Sequence, residues 1–366
     1  MAVSVRITES RRIEFSANEV TGAVGDSLTV LPIVVALALL TEISLPHVLV
    51  AFGVFQIVWG VWYGLPMSVE PMKALAALAI AGALSYAELA LAGLVLGVVF
   101  LAIGTTDTLS VVERWIGEPV IRGIQFAVGL ILLETGLSLA AGDVALAAVG
   151  LAVALAVIAF GYGNASALVV LAIGTGITLW TAGFPAILFP GVPPTLALGE
   201  ALTWSAADGI VAQFAMTIGN AALATSLLFA DLFDEDVPAD DLATSMGVMN
   251  LLTVPLGGIP MCHGCGGLAG KYEFGARTGG ANVILGTGYI ALAFVTTGAL
   301  VAAFPLAMLG VLLAIVAVSL GANVRESSNL PLSVGIGLLA LVWNIGVAFA
   351  LGICVYLLFE RYRRGA

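Results

Sequence analysis

Apolar runs of bilayer-spanning length follow one another through this chain almost without a pause. VVALALLTEISL, LALAGLVLGVVFLAIG, ALAAVGLAVALAVIAF and LAMLGVLLAIVAVSLGA belong to four of them. The runs reach roughly 17 to 25 residues, the length of helix that crosses a hydrocarbon core about 30 Å thick. Only 10% of the 366 residues are charged, against about a quarter in a soluble domain, too few to cover a globule with polar surface. The expected fold class is an all-α polytopic membrane protein.

The polar segments limit function further. The N-terminal MAVSVRITESRRIEF has no apolar core of a secretory signal. Three cysteines on or near membrane segments do not make a disulfide framework. The net charge of −11 sits mainly in loops, most densely in DLFDEDVPADD at 231–241, and no basic patch suggests nucleic acid as a partner. No carboxylate pair or Ser–His set stands at helical spacing, so no enzyme is expected.

Two short segments match across the chain. GLPMS at 64–68 and GIPMC at 258–262 lie 194 residues apart, and the same offset relates Gln56 to Asn250, Gly25 to Gly219 and Asp26 to Asn220. Such self-similarity is the sign of an internal duplication. Spans are expected near 20–41, 48–64, 71–87, 89–106, 119–140, 143–161 and 166–183, then 206–230, 243–257, 263–276, 281–303, 304–322, 330–345 and 346–359. That makes about fourteen, including two half-helices. With the N-terminus inside, eleven of the twelve basic residues fall on the cytoplasmic side, Lys271 among them, and Lys73 is the sole basic residue within the membrane. An odd offset of seven spans inverts one copy relative to the other. The expectation is a 7+7 inverted repeat in the cell membrane, with repeats at 20–183 and 206–359, a cytoplasmic N-terminus at 1–19 and a cytoplasmic tail at 360–366.

Inverted-repeat transporters bind substrate near the midplane, where Gly/Pro-interrupted helices from both halves meet. Here those are YGLPMSVEPMKALAALAIAGA (63–83) and GGIPMCHGCGGLAGKYEFGA (257–276). A helix N-terminus presents unpaired N–H groups and about half a positive charge, which suits an anion. Gly264, Gly266 and Gly267 let the backbone approach a ligand closely. Lys73 adds full charge, with Glu70 three residues before it as its natural intrahelical partner. Asp26 is a further intramembrane carboxylate, and Asn220 its uncharged counterpart in the second copy. Cys262, His263 and Cys265 offer at most three of the four ligands a structural zinc needs. No metal or cofactor is expected.

These same residues resemble a known family, the molybdate transporters related to the sulfate permeases. The matching pieces are GAVGDSLTVLPIVVAL (22–37), GLPMSVEPMKALAALAI (64–80) and MGVMNLLTVPLGGIPMCHGCGGLAGKYEFGARTGG (246–280). The family patterns look like P-M-x-V-Q-P-M-K and P-x-C-H-G-A-G-G-L-A-G-x-Y-x-F-G-x-R. Glu70 stands where the family usually has Gln, and Cys265 where it usually has Ala. The resemblance implies a sulfate-permease-like fold with a core domain (20–106 and 206–303) and a gate domain (119–183 and 304–359). It also implies a homodimer, transport by movement of core against gate, and the branch without a carboxy-terminal regulatory domain. Carried over residue by residue, it puts an oxyanion among Asp26, Ser27, Pro71, Met72, Lys73, Gln213, Thr217, Asn220, Cys262, His263 and Gly264. The expected substrate is molybdate. Sulfate or another tetrahedral oxyanion, or a passive anion channel, is the alternative, and a coupling proton or cation is left open.

Overall fold

A computed structural model describes residues 13–365 of the chain. The basic residues expected at the two ends, Arg6, Arg11, Arg12, Arg363 and Arg364, fall outside the described residues and side chains. The first half holds helices Ala17–Leu40 (α1), Leu45–Tyr63 (α2), Lys73–Ile80 (α3), Tyr86–Thr105 (α4), Leu109–Ile116 (α5), Glu118–Ala141 (α6), Val144–Ala159 (α7) and Ser166–Ala182 (α8). The second holds Trp204–Met216 (α9), Ala224–Phe233 (α10), Ala239–Thr253 (α11), Cys265–Glu273 (α12), Gly280–Val295 (α13), Gly298–Ala302 (α14), Leu306–Ala322 (α15), Leu330–Val342 (α16) and Ile345–Gly365 (α17). A π-helical stretch, Thr217–Leu223, joins α9 to α10 without a break in the rod.

Local sequence explains where these helices start, bend and stop. Ser85 caps α4 by accepting from the Glu88 N–H, while Glu88 returns a carboxylate to the Ser85 N–H at 2.7 Å, a reciprocal capping box. α1 bends by 43° between its halves Ala17–Ser27 and Val30–Leu40, one turn before Pro32, whose ring cannot fit against the carbonyl four residues back. α2 stops at Gly64 (φ 65°), and the turn after α11 ends at Gly257 (φ 82°). Both glycines take the left-handed conformation that ends helices. Beyond them the chain runs extended into two strands, Glu70–Pro71 (β1) and Met261–Cys262 (β2). These pair antiparallel, Glu70 opposite Cys262 and Pro71 opposite Met261.

Among the described residues six helical segments are long and apolar enough to cross a membrane, seven if the two halves of α1 count as one span. The two expected half-helices, at the third and tenth positions, are extended chain followed by helices of 8 and 9 residues. At 1.5 Å per residue each is only about 12–14 Å long. Several other expected spans are shorter apolar helices, Val144–Ala159, Gly280–Val295, Leu330–Val342 and Ile345–Phe359.

Helices pack in cross-chain pairs: α2 on α13, α4 on α11, α1 on α12 and α6 on α15. Glycines set the approach. A Cβ at Gly53 of α2 would stand 2.6 Å from the Gly286 carbonyl of α13, and one at Gly136 of α6 would stand 2.8 Å from the Gly310 carbonyl of α15. Close backbone contact through small residues is how helices associate where lipid removes the hydrophobic drive between them.

One sequence expectation is overturned here. Lys271, read as one of the basic residues on a solvated cytoplasmic face, is fully buried, 0% exposed, and paired with Asp26 at 3.1 Å. Among the described residues Lys73 and Lys271 are both buried basic side chains. The reason is packing: α12 lies against α1, and Lys271 in its last turn meets carboxylate and carbonyl oxygens from four other segments.

Candidate functional site

The two strands bring the starts of α3 and α12 together at the centre of the fold. Pro71 and Pro260 have no N–H to give, so the pairing is short, and the Met72 N–H reaches across to the Pro260 carbonyl at 2.9 Å. At the start of α3 the Ala74 N–H donates to Gln213 Oε1 at 2.8 Å, and Gln213 Nε2 donates in turn to Thr217 Oγ1 at 2.9 Å. The first turn of α3 is thus capped by a side chain from α9. That meets the demand of a buried helix end for partners.

The start of α12 is met differently. Its Gly267 N–H donates to Glu70 Oε1 at 2.9 Å, while the Lys73 ammonium pairs with Glu70 Oε2. One carboxylate is therefore gripped by the amino end of one half-helix and by a cation on the other. Glycine is required for this approach. A Cβ at Gly264 would run into the Glu70 carboxylate, and one at Gly267 would meet Asp26 Oδ1, Ser68 Oγ and Glu70 Oε1. Gly266 is different: it is exposed, and a Cβ there would meet no atom within 4 Å. Beside it Cys265 is half-buried, and its thiol donates to Asn220 Oδ1 at 2.9 Å. Asn220 lies in the π-helical stretch, a backbone irregularity that recurs at functional sites.

The residues named from sequence divide into two groups. Glu70, Pro71, Met72, Lys73, Gln213, Thr217, Asn220, Cys262, Gly264 and Gly266 gather around the paired helix ends. Cys262 is buried against the Pro71 carbonyl at 3.9 Å. Asp26, Ser27 and His263 are committed elsewhere. His263 is 0% exposed, with Nε2 on Ser245 Oγ at 2.7 Å, Nδ1 on the Ser68 carbonyl at 3.0 Å, and its ring edge-on to Trp59 and Tyr63. Both ring nitrogens are hydrogen-bonded, so His263 ties α11 to the extended segment before β1. Ser27 pairs with the Tyr289 hydroxyl at 3.1 Å.

Asp26 belongs to a second polar cluster that sequence reasoning missed. Its Oδ1 accepts from Ser68 at 2.6 Å and its Oδ2 from Gln56 at 2.5 Å and Lys271 at 3.1 Å. Asn282 completes the cluster, donating to Gln56 Oε1 at 2.7 Å and to the Met67 carbonyl at 2.6 Å. The offset relating Gln56 to Asn250 hinted at it, since Asn250 holds the Met261 backbone from both sides at 2.7 and 2.8 Å. Two carboxylates, Asp26 and Glu70, thus face two ammonium groups, Lys271 and Lys73, and the four charges cancel. Among the described residues no group of three or more His, Cys, Asp and Glu side chains converges as a metal site. Cys262, His263 and Cys265 each turn to a different partner.

Comparison with known proteins fits this geometry. A family model described as "Molybdate transporter of MFS superfamily" matches residues 18–132 and 205–320, more than half of the chain. Molybdate transporter 2 of Arabidopsis thaliana is 28% identical over 94% of this chain and 87% of its own length. Molybdate transporter 1 of the same plant is 28% identical over 85% and 80%. Among solved structures, the transmembrane domain of the cyanobacterial bicarbonate transporter BicA superposes with a TM-score of 0.63 over 93% of this chain and 96% of that one, at 16% identity. SLC26A9 gives 0.72 over 94% of this chain and 65% of that one, at 14% identity. At such identities the likeness is one of fold.

Proposed function

Because the chain belongs to the molybdate transporter family, we propose that it carries molybdate across the membrane, with the oxyanion bound between the amino ends of α3 and α12. The observation that carries this reading is Glu70. A carboxylate, itself an anion, is held by an α12 N–H and the Lys73 ammonium, so the protein has assembled an anion-binding arrangement around one of its own side chains. Gly266, exposed and free of neighbours, lies one residue from that N–H. An oxyanion approaching there meets the remaining N–H groups of the α12 first turn, Asn220, and Lys73 once it exchanges partners. Asp26, Ser27 and His263 support this site from behind.

Glu70 then has a defined role as a tethered competitor. With all four buried charges present the cluster is neutral, and a dianion brings it to −2. With glutamine at 70 the protein charge becomes +1 and Lys73 needs no new partner. Calorimetric titration of purified protein with molybdate tests this. Lys73→Met is expected to weaken binding at least about tenfold, or 1.4 kcal/mol; Glu70→Gln is expected to tighten it. Affinities unchanged in both variants would remove the oxyanion from this position. Sulfate has the same charge and shape, so competition between the two anions measures selectivity in the same assay.

The wider architecture follows the same proposal. A 7+7 inverted repeat of about fourteen spans is supported by the reciprocal packing of α2 on α13 and α11 on α4. It is supported too by Gly53 and Gly247, 194 residues apart and each facing the backbone of a partner helix. Core-and-gate organisation is supported by α6 packing on α15 and α16, away from the α2–α13 and α4–α11 pairs. Cytoplasmic termini rest on the ten basic residues that remain on that side once Lys271 is placed in the core. Homodimer assembly, residence in the plasma membrane and coupling to an ion rest on the resemblance to the sulfate permeases.

A further inference from the structure

Lys271 is surrounded by oxygen. Its Nζ lies 2.6 Å from the Met67 carbonyl, 2.8 Å from Gln56 Oε1, and 3.1 Å from both Asn282 Oδ1 and Asp26 Oδ2. These acceptors come from the extended segment before β1, from α2, from α13 and from α1, and all four residues are 0% exposed. An ammonium has three hydrogens to give, and four oxygens converge on it. A carboxylate with neutral carbonyl oxygens closing around one positive centre is the ligand set that hard cations take. The distances of 2.6–3.1 Å lie at or beyond the long end of the approximately 2.0–2.6 Å of magnesium and calcium sites and suit a large monovalent ion.

We infer that Lys271 is a resident cation: its ammonium fills a monovalent-cation cradle at the junction of α1, α2, α12 and α13, in place of a free alkali ion. The cradle sits directly behind the oxyanion site. Asp26 Oδ1 and Ser68 Oγ, hydrogen-bonded to each other at 2.6 Å, are the atoms a Cβ at Gly267 would strike, and Gly267 is the residue whose N–H holds Glu70. A positive charge in the cradle therefore sets the position of α12 against α1 and of the extended segment against both. Lys271 acts through these elements and is a positioning residue. Carrying the cation on the chain makes the site independent of sodium or potassium in the medium.

The test is chemical rescue. Lys271→Ala removes Cγ, Cδ, Cε and Nζ, a fragment equal to n-propylammonium; Lys271→Met removes the charge but keeps most of the volume. Thermal stability of purified wild type and both variants is measured in choline, sodium, potassium and n-propylammonium chloride, followed by molybdate titration in each. The wild type is expected to melt and bind alike in all four salts. Both variants are expected to melt several degrees lower in choline and to bind molybdate at least about tenfold more weakly, as loss of one partner leaves Asp26 buried without its counter-charge. Potassium or n-propylammonium restores Lys271→Ala, whereas Lys271→Met, whose side chain blocks the cradle, stays unrestored. If Lys271→Ala is recovered folded only when purified in n-propylammonium, that is the same rescue. Wild-type stability that drops in choline, Lys271→Met at wild-type stability, or Lys271→Ala deaf to every cation overturns the inference. The melting arm contains no oxyanion, so it judges the cradle separately from the choice of substrate.

Discussion

Three glycines around the start of α12, Gly264, Gly266 and Gly267, do different work. Gly264 and Gly267 lie against the Glu70 carboxylate, while Gly266 looks into open space. Gly267→Ala is expected to destabilise the protein by about 1–3 kcal/mol, the usual cost of forcing a methyl group into a packed position, because Asp26, Ser68 and Glu70 cannot all withdraw. Gly266→Ala is expected not to lower the melting temperature and to weaken molybdate binding, since its methyl group projects where an oxyanion approaches. Melting curves in detergent, with and without molybdate, separate the two. A destabilised Gly266→Ala would contradict the open face. The glycines, Lys73 and Glu70 were legible in sequence because each breaks an apolar background with a distinct chemistry. Lys271 was not, because Tyr272, Glu273 and Arg277 beside it look like an interfacial cluster. Its acceptors are scattered over positions 26, 56, 67 and 282, and no local spacing joins them. His263 sits inside the motif, and its partners Ser245 and the Ser68 carbonyl lie 18 and 195 residues away in sequence, so its hydrogen bonding was not legible from the motif.

Among the helices, contact depends on glycine at named positions rather than on apolar character, which is nearly uniform here. Gly286 of α13 faces the Gly53 carbonyl of α2, and Gly288, two residues on, faces nothing within 4 Å. Gly286→Ala is therefore expected to lower stability by about 1–3 kcal/mol and Gly288→Ala to raise it slightly through helix propensity, read as melting temperatures side by side. Equal effects would mean that the α2–α13 contact is not set by backbone approach. Apolar runs told where helices stand but not which faces meet, because lipid and protein interior ask for the same side chains. α3 and α12 were legible as half-helices because Gly and Pro interrupt the apolar pattern just before each of them.

For the whole molecule, the proposed movement of core against gate has a place to be stopped. A Cβ at Gly219 in the π-helical stretch would lie 2.8 Å from Ile121 Cγ2 of α6, so the two segments touch across the proposed boundary. With Cys265 and Cys354 replaced by Ala, a Gly219→Cys/Ile121→Cys pair is within reach of a disulfide. Oxidation is expected to abolish uptake into proteoliposomes while molybdate binding persists, and reductant to restore uptake. Undiminished uptake by the oxidised pair would show that these segments need not part.

The two-residue pairing of β1 with β2 also governs how the protein is made. Residues 70 and 262 are partners in it, and at translation rates of about 5–20 residues per second the ribosome needs roughly 10–40 s to travel from one to the other. Throughout that interval the extended segment between α2 and α3 has no second strand to accept the Met72 N–H and no Lys271 or Asn282 to satisfy the Met67 carbonyl. Exposed backbone polar groups are not tolerated in hydrocarbon, so that segment has to wait at the membrane edge or within the insertion machinery until the second half emerges. The pairing that holds the proposed anion site together can therefore close only after residues 260–282 of the second half have emerged.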